Sequence, residues 1–163
     1  MNVVTDVLAV AAILGSAIIG GVFFAFSSFV MKALAKLPPS EGIAAMQSIN
    51  VVVLNWSFLG VFMGTTAISV VVAALAAKEW AMPSAPYFLA GALLYLVGTF
   101  LVTGLGNVPL NNQLAAVSSA DPDAVPVWEH YLDRWTSLNT IRTGAAAAAV
   151  LLFTIGLLQN SGG

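Results

Sequence analysis

The sequence predicts an all-α fold, an integral membrane four-helix bundle, and three observations predict it. Hydrophobic residues make up 60% of the chain and charged residues only 7%, against about 25% charged in an ordinary soluble domain. Four long apolar stretches each approach the roughly 20 residues that a helix needs to cross a bilayer. A chain of 163 residues cannot hide four such stretches in a water-soluble core, so lipid must solvate much of their surface. Residues 1–163 read as one four-span membrane domain whose first partner is the lipid bilayer.

The first span is expected over about Val7–Met31. No basic segment precedes it and no cleavage site follows, so it reads as a retained helix and not a signal peptide. Pro38-Pro39 breaks the connection, and Ser40, Glu41 and Gly42 suit the start of a short helix carrying Met46, Gln47 and Asn50. The second span is expected over about Val52–Ala77, with Asn50 and Asn55 at its start, and the third over about Tyr87–Leu105. In Asn107-Val-Pro-Leu-Asn111 the proline is expected to stop the third helix. The flanking asparagines could satisfy freed backbone groups or a ligand. The fourth span is expected over about Leu138–Leu158; its strictly apolar part, Ala145–Leu158, is short. Either its polar first turns lie within the bundle, or the helix is only partly immersed.

Four spans put both termini on one side with the Lys78–Pro86 connection, and put Lys32–Val51 and Gly106–Ser137 on the other. Lys32, Lys36 and Arg134 lie on that second side, so the positive-inside rule favours termini outside and the longer connections in the cytoplasm of a bacterial cell. Small residues recur at helical spacing in Ala17, Gly21 and Ala25 and in Gly60 and Gly64. They are expected to let helices approach within the bundle, with a homodimer interface as their alternative use.

Several chemistries are poorly served. With no cysteine there is no disulfide, thiolate nucleophile or sulfur-ligated metal. A net charge of −2 gives no basic patch, so nucleic acid is not an expected partner. His130 is the only histidine, whereas a facial-triad iron site needs two. Neither a metal nor another cofactor is expected. A haem-bearing electron-transfer subunit using His130 stays open as an alternative, although the chain has no second histidine and no CxxCH motif. A transporter is less well supported, because no inverted repeat is evident.

The polar residues converge on one end. Trp128, Tyr131, Trp135, Asn139 and Arg142 follow one another at three- or four-residue steps and form a single helical stripe. Asn50, Asn55, Asn107, Asn111 and Asn112 fall on the same membrane side. An arginine at the edge of a span is costly unless paired or hydrated. Arg142 could snorkel as an anchor, pair with Glu129, Asp133 or helix-terminal carbonyls, or face a cavity and stabilise an anion. His130 could be a surface group, or a base assisted by Asp133 three residues on. Phe23, Phe24, Phe26, Phe29 and Met31, with Trp56 and Phe58, could line a pocket for a flat aromatic molecule or simply pack.

With those residues in view, the chain resembles the anthrone oxygenase-like integral membrane family over almost its whole length. The matching pieces are Gly21-Val-Phe-Phe-Ala-Phe-Ser27 with Val30-Met31, Ala45-Met-Gln-Ser-Ile-Asn50 with Asn55, Asn107-Val-Pro-Leu-Asn111, and the stripe from Trp128 to Arg142. The resemblance implies a small four-helix membrane protein. It also implies an activity of the kind some members have, oxidation of anthrones to anthraquinones by molecular oxygen.

Resemblance and residues together lead to a cofactor-independent oxygenase or oxidoreductase acting on a flat, lipophilic phenolic or polycyclic substrate with molecular oxygen. His130, assisted by Asp133, is the expected base, and Arg142, Asn139 and Asn107 the expected oxyanion donors. Phe26, Trp128, Tyr131 and Trp135, with Asn50, Asn55 and Asn111, are the expected substrate-binding residues. The alternative is a non-enzymatic membrane subunit or lipophilic-ligand-binding protein.

Overall fold

The computed structural model describes residues 3–161. Within them are five helices: α1 (Val3–Leu34), α2 (Pro39–Val52), α3 (Trp56–Lys78), α4 (Ala85–Ala115) and α5 (Val125–Ser161). All but α2 are long and apolar enough to cross a membrane. They close a ring in which α1 and α4 each pack against both α3 and α5. Near the chain ends, Asn160 Nδ2 donates to Asp6 Oδ1 at 2.6 Å, so α5 finishes beside the start of α1.

Ile19, Phe23, Phe62, Phe88, Tyr95 and Phe153 fill the middle of the bundle. Leu14, Ile18, Val70, Val97 and Leu151 project outward instead. Exposing so many large apolar side chains is unfavourable in water and neutral in lipid, which fits helices that are apolar all round. This is an integral membrane fold.

The close helix approaches occur at glycines other than those the spacing suggests. A Cβ at Gly15 would collide with Thr65, and one at Gly98 with Ala145. A Cβ at Gly20 would lie 3.1 Å from Ala146. By contrast, a Cβ at Gly21, Gly60 or Gly64 would meet nothing within 4 Å, so the predicted small-residue faces do not pack the bundle. Helices apolar on every side give no contrast from which to read the inward face.

Three boundaries also differ from the predicted ones. α3 begins at Trp56 because Asn55 caps it, its Oδ1 accepting from Phe58 N at 3.0 Å. Pro109 does not end the third helix. The backbone widens into π-helical turns over Leu94–Leu101 and Thr103–Asn107, with Val108 N–H donating to Thr103 O, and α-helix resumes over Val108–Ala115. Pro109 then sits in the first turn after the wide segment, where its missing N–H costs little. The last helix starts at Val125, well before Leu138. At 37 residues it is about 55 Å long, far more than the ~30 Å hydrocarbon layer.

The surplus length builds a cap. Met31 and Leu34 of α1, Ile43 and Met46 of α2, Leu110 and Leu114 of α4, and Trp128, Tyr131 and Trp135 of α5 form a second buried cluster. Gln47 fastens α2 to the end of α4, its Nε2 donating to Leu114 O at 2.8 Å and Val117 O at 2.9 Å. α3 alone does not reach the cap. The space beyond Trp56 is bounded by α2 and the Val53–Leu54 turn, and it stays open inside.

Candidate functional site

That space is a cavity of about 300 Å³ between the membrane core and the cap. Its wall is mostly apolar and aromatic: Val22, Phe23 and Phe26 of α1, Met46 and Ile49 of α2, Phe58, Leu59 and Phe62 of α3, Phe100 and Val108 of α4, and Trp135 of α5. The polar side chains in the wall are Asn50, Thr103, Asn111 and Arg142. A small apolar pocket with a few convergent polar groups is the usual form of a site for a small lipophilic ligand.

Arg142 dominates its electrostatics. Counting about 20 residues back from Leu158 puts Asn139 and Arg142 in the first turn of the hydrocarbon layer. The side chain is only 4% exposed, so it does not snorkel to water. Its Nη2 donates to Asn139 Oδ1 at 2.6 Å and its Nη1 to Thr103 Oγ1 at 3.0 Å. Both acceptors are neutral, and Nε is buried with no partner. The guanidinium carbon lies 3.9 Å from the Phe23 ring centre and 5.2 Å from that of Trp135. Cation–π attraction offsets part of the desolvation cost, but a buried cation without a counter-ion still favours an anion placed beside it.

Asn139 holds this arrangement in place. It is fully buried, and its Nδ2 donates to Phe23 O and to Ser27 Oγ, both at 2.7 Å, while its carbonyl receives Arg142. Every polar atom of the amide is used, so Asn139 positions Arg142 and has no donor left for a ligand. Asn107 ties α4 to α5, its Nδ2 donating to Trp135 O at 3.1 Å, while its Oδ1 is buried without a partner. Neither asparagine is in the cavity wall. The π-helical turn Phe26–Val30 of α1 and those of α4 flank the Asn139–Arg142–Thr103 chain, and such turns are frequent at functional sites.

Of the other expected residues, Phe26, Asn50, Asn111 and Trp135 line the cavity. Tyr131 lies behind them, with Asn50 and Asn111 on its hydroxyl. Trp128 packs deeper in the cap, stacked on Tyr131 at 5.8 Å. Asn55 is the cap of α3 and is exposed. Phe24, Phe29 and Trp56 point outward, Trp56 being 93% exposed. The structure does not bring His130 and Asp133 to the site. Both lie on the exposed face of α5, and His130 is twelve residues before Arg142, about 18 Å along the helix. Among the described residues no cluster of three or more His, Cys, Asp or Glu side chains could hold a metal ion.

Thr103 and Phe23 complete the Arg142 environment, and neither was singled out as a polar contact from the sequence. The signal was present in α4. Thr99, Thr103, Asn107 and Asn111 recur every fourth residue, a stripe matching that of α5.

A family model described as anthrone oxygenase matches residues 56–152, more than half of the chain. The chain belongs to the anthrone oxygenase family. The stretch matched to that family takes in α3, α4 and α5 through Leu152, and with them Thr103, Asn111, Trp135, Asn139 and Arg142. The α1 and α2 walls, including Phe23, Phe26 and Asn50, lie before it. No curated protein and no solved structure gives a match.

Gly104 offers a direct test of the cavity as the ligand site. It lies in the wall, yet a Cβ there would meet no atom within 4 Å. Gly104→Phe should fill the space without disturbing the helices. It is expected to weaken binding of a polycyclic ligand at least about tenfold while thermal stability in detergent stays unchanged. Unaltered binding would place the ligand elsewhere.

Proposed function

We propose that the protein is a cofactor-independent oxygenase that oxidises a flat, lipophilic, anthrone-like substrate bound in this cavity. The carrying observation is the buried Arg142 guanidinium, which has only neutral hydrogen-bond partners and faces an aromatic chamber. An anthrone has an acidic methylene opposite its carbonyl. Loss of one methylene proton gives an enolate whose charge rests largely on the carbonyl oxygen. Arg142 beside that oxygen stabilises the anion, with Asn139 and Thr103 fixing the guanidinium beforehand.

No histidine or carboxylate stands in the wall, so this reading assigns the proton to water, with the substrate acidified by Arg142. The enolate then passes one electron to oxygen, and the resulting carbon radical and superoxide combine to form the carbon–oxygen bond. After protonation of the peroxide, the remaining methylene proton leaves and the oxygen–oxygen bond breaks. Anthrone and oxygen become anthraquinone and water. Phe23, Phe26 and Trp135 hold the rings and keep bulk water out.

The test is oxygen uptake by the purified protein in detergent with an anthrone as substrate. One oxygen consumed per quinone formed, in the presence of a chelator, is the expected result. His130→Ala should retain turnover to within about twofold, whereas a loss of two orders of magnitude would restore His130 as the base. A folded protein that binds anthraquinone but consumes no oxygen would favour the lipophilic-ligand-binding alternative. The absence of a side-chain base from the wall is the observation on that side.

A further inference from the structure

We propose that Asn50, Tyr131 and Asn111 form a second polar subsite, which reads a hydroxyl group on the ligand on the Tyr131 side of the cavity. The inference rests on the cavity being the substrate site and adds a specificity to it.

Tyr131 is 1% exposed, and its ring stacks on Trp128 and on Trp135, each with centroids 5.8 Å apart. Its hydroxyl is thereby fixed at the cavity's edge. It donates to Asn111 Oδ1 at 2.8 Å and accepts from Asn50 Nδ2 at 3.4 Å. Both asparagines line the cavity and remain half-buried. Among the described residues no hydrogen bond engages the amide nitrogen of Asn111 or the carbonyl oxygen of Asn50. One amide nitrogen and one amide oxygen are therefore left unengaged beside a single anchored hydroxyl. Turning both amides over exchanges which residue offers which, but still leaves one of each.

A ligand hydroxyl satisfies that pair, since it donates one hydrogen bond and accepts another. A carbonyl oxygen would leave the acceptor unmet, and an ammonium would leave the donor unmet. The Arg142 side differs in kind. There the wall carries the Arg142 guanidinium, which can donate but not accept and so suits an oxygen that only accepts. Thr103, bonded to Arg142, and Asn111 are eight residues apart on α4, at most about 12 Å along the axis because the first half of that stretch is π-helical. Allowing for the side chains at each end, that span accommodates a fused ring system. The ligand class is a planar polycycle with a carbonyl or enolate oxygen at one pole and a phenolic hydroxyl at the other.

Three probes separate the terms: anthraquinone, its derivative with one hydroxyl on a terminal ring, and the methyl ether of that hydroxyl. Binding is read from quenching of tryptophan fluorescence in the wild-type protein and in Asn111→Leu and Asn50→Leu. The wild type is expected to bind the hydroxyl compound about tenfold more tightly than the other two. Each asparagine variant should bind all three alike, at the affinity the wild type shows for anthraquinone. Tyr131→Phe keeps the ring stack and removes only the hydroxyl that aligns the amides, so it should lose most of the preference. Equal wild-type affinities for the three probes would overturn the subsite and leave the cavity reading standing. Full preference retained in Tyr131→Phe or in either asparagine variant would overturn the subsite as well. Failure of the folded wild type to bind any probe would overturn both readings together.

Discussion

Replacing Arg142 with methionine should lower turnover of an anthrone by about 10²- to 10³-fold, the cost of losing a donor at a developing oxyanion. KM and the affinity for the neutral quinone should change only a few-fold, because the guanidinium meets full charge only after the proton has left. Equal losses in kcat and in quinone affinity would make Arg142 a recognition group instead. Stability supplies an independent readout. The guanidinium is buried beside neutral acceptors and carries an unpartnered Nε, so R142M removes a desolvated charge, which offsets the cost of orphaning Asn139 Oδ1, and should leave the melting temperature close to that of the wild type. Asn139→Leu should lower it. It would strip Arg142 of one acceptor and leave the cation in place, destabilising the bundle by roughly 1.5–3 kcal/mol. A large loss of stability in R142M itself would show that the cation is structural.

This pair of outcomes separates two meanings of a buried charge. A cation retained for architecture is missed when removed, because its partners were arranged around it. A cation retained for chemistry costs stability until the transition state arrives, so its removal harms only the rate. Asn139 does not depend on Arg142 for its place, because its amide nitrogen is held by Phe23 O and Ser27 Oγ. The free Nε is the part of Arg142 that no protein group satisfies.

What the sequence disclosed follows from where contrast existed. The four spans were legible because their apolar runs exceed anything a small soluble domain can bury. The stripe on α5 was legible because polar and aromatic residues recur there against the exposed His130, Asp133 and Arg134. Arg142 stood out because a charge near an apolar run demands a reason. A pocket lined by Phe23, Phe26 and Phe58 was legible as one use of those rings, but the origin of the cavity was not. The cavity arises because α3 begins at Trp56 while α1, α4 and α5 continue into the cap, and a difference in helix reach has no local signature. His130 stood out for its chemistry and not for its place. Its chemistry suits proton transfer, but its position in the helical turn, beside the stripe and not on it, turns it outward. The continuation of α4 past Pro109 has no signature in the sequence, because the π-helical turns before it follow no residue pattern.

The interhelical glycines yield the largest expected effect on the fold. A Cβ at Gly98 would collide with that of Ala145 where α4 and α5 cross, and neither backbone can move without shifting its whole helix. Gly98→Val should therefore destabilise the protein by about 3 kcal/mol, the upper end of the range for overpacking a tight interior, or more. Gly60→Val is the control: its Cβ would meet nothing within 4 Å, and its stability should match the wild type within about 0.5 kcal/mol. Denaturant titration in mixed micelles, followed by circular dichroism, reads both. The consequence extends to the site, because Ala145 lies one turn beyond Arg142 and Thr103 lies five residues beyond Gly98. Separating α4 from α5 would lengthen the Arg142–Thr103 hydrogen bond, now 3.0 Å. Folded Gly98→Val should consequently oxidise an anthrone more slowly than folded Gly60→Val. Matching melts for the two variants would show that the α4–α5 crossing is looser than this contact requires. Matching turnover despite a large loss of stability would uncouple the crossing from the geometry of Arg142.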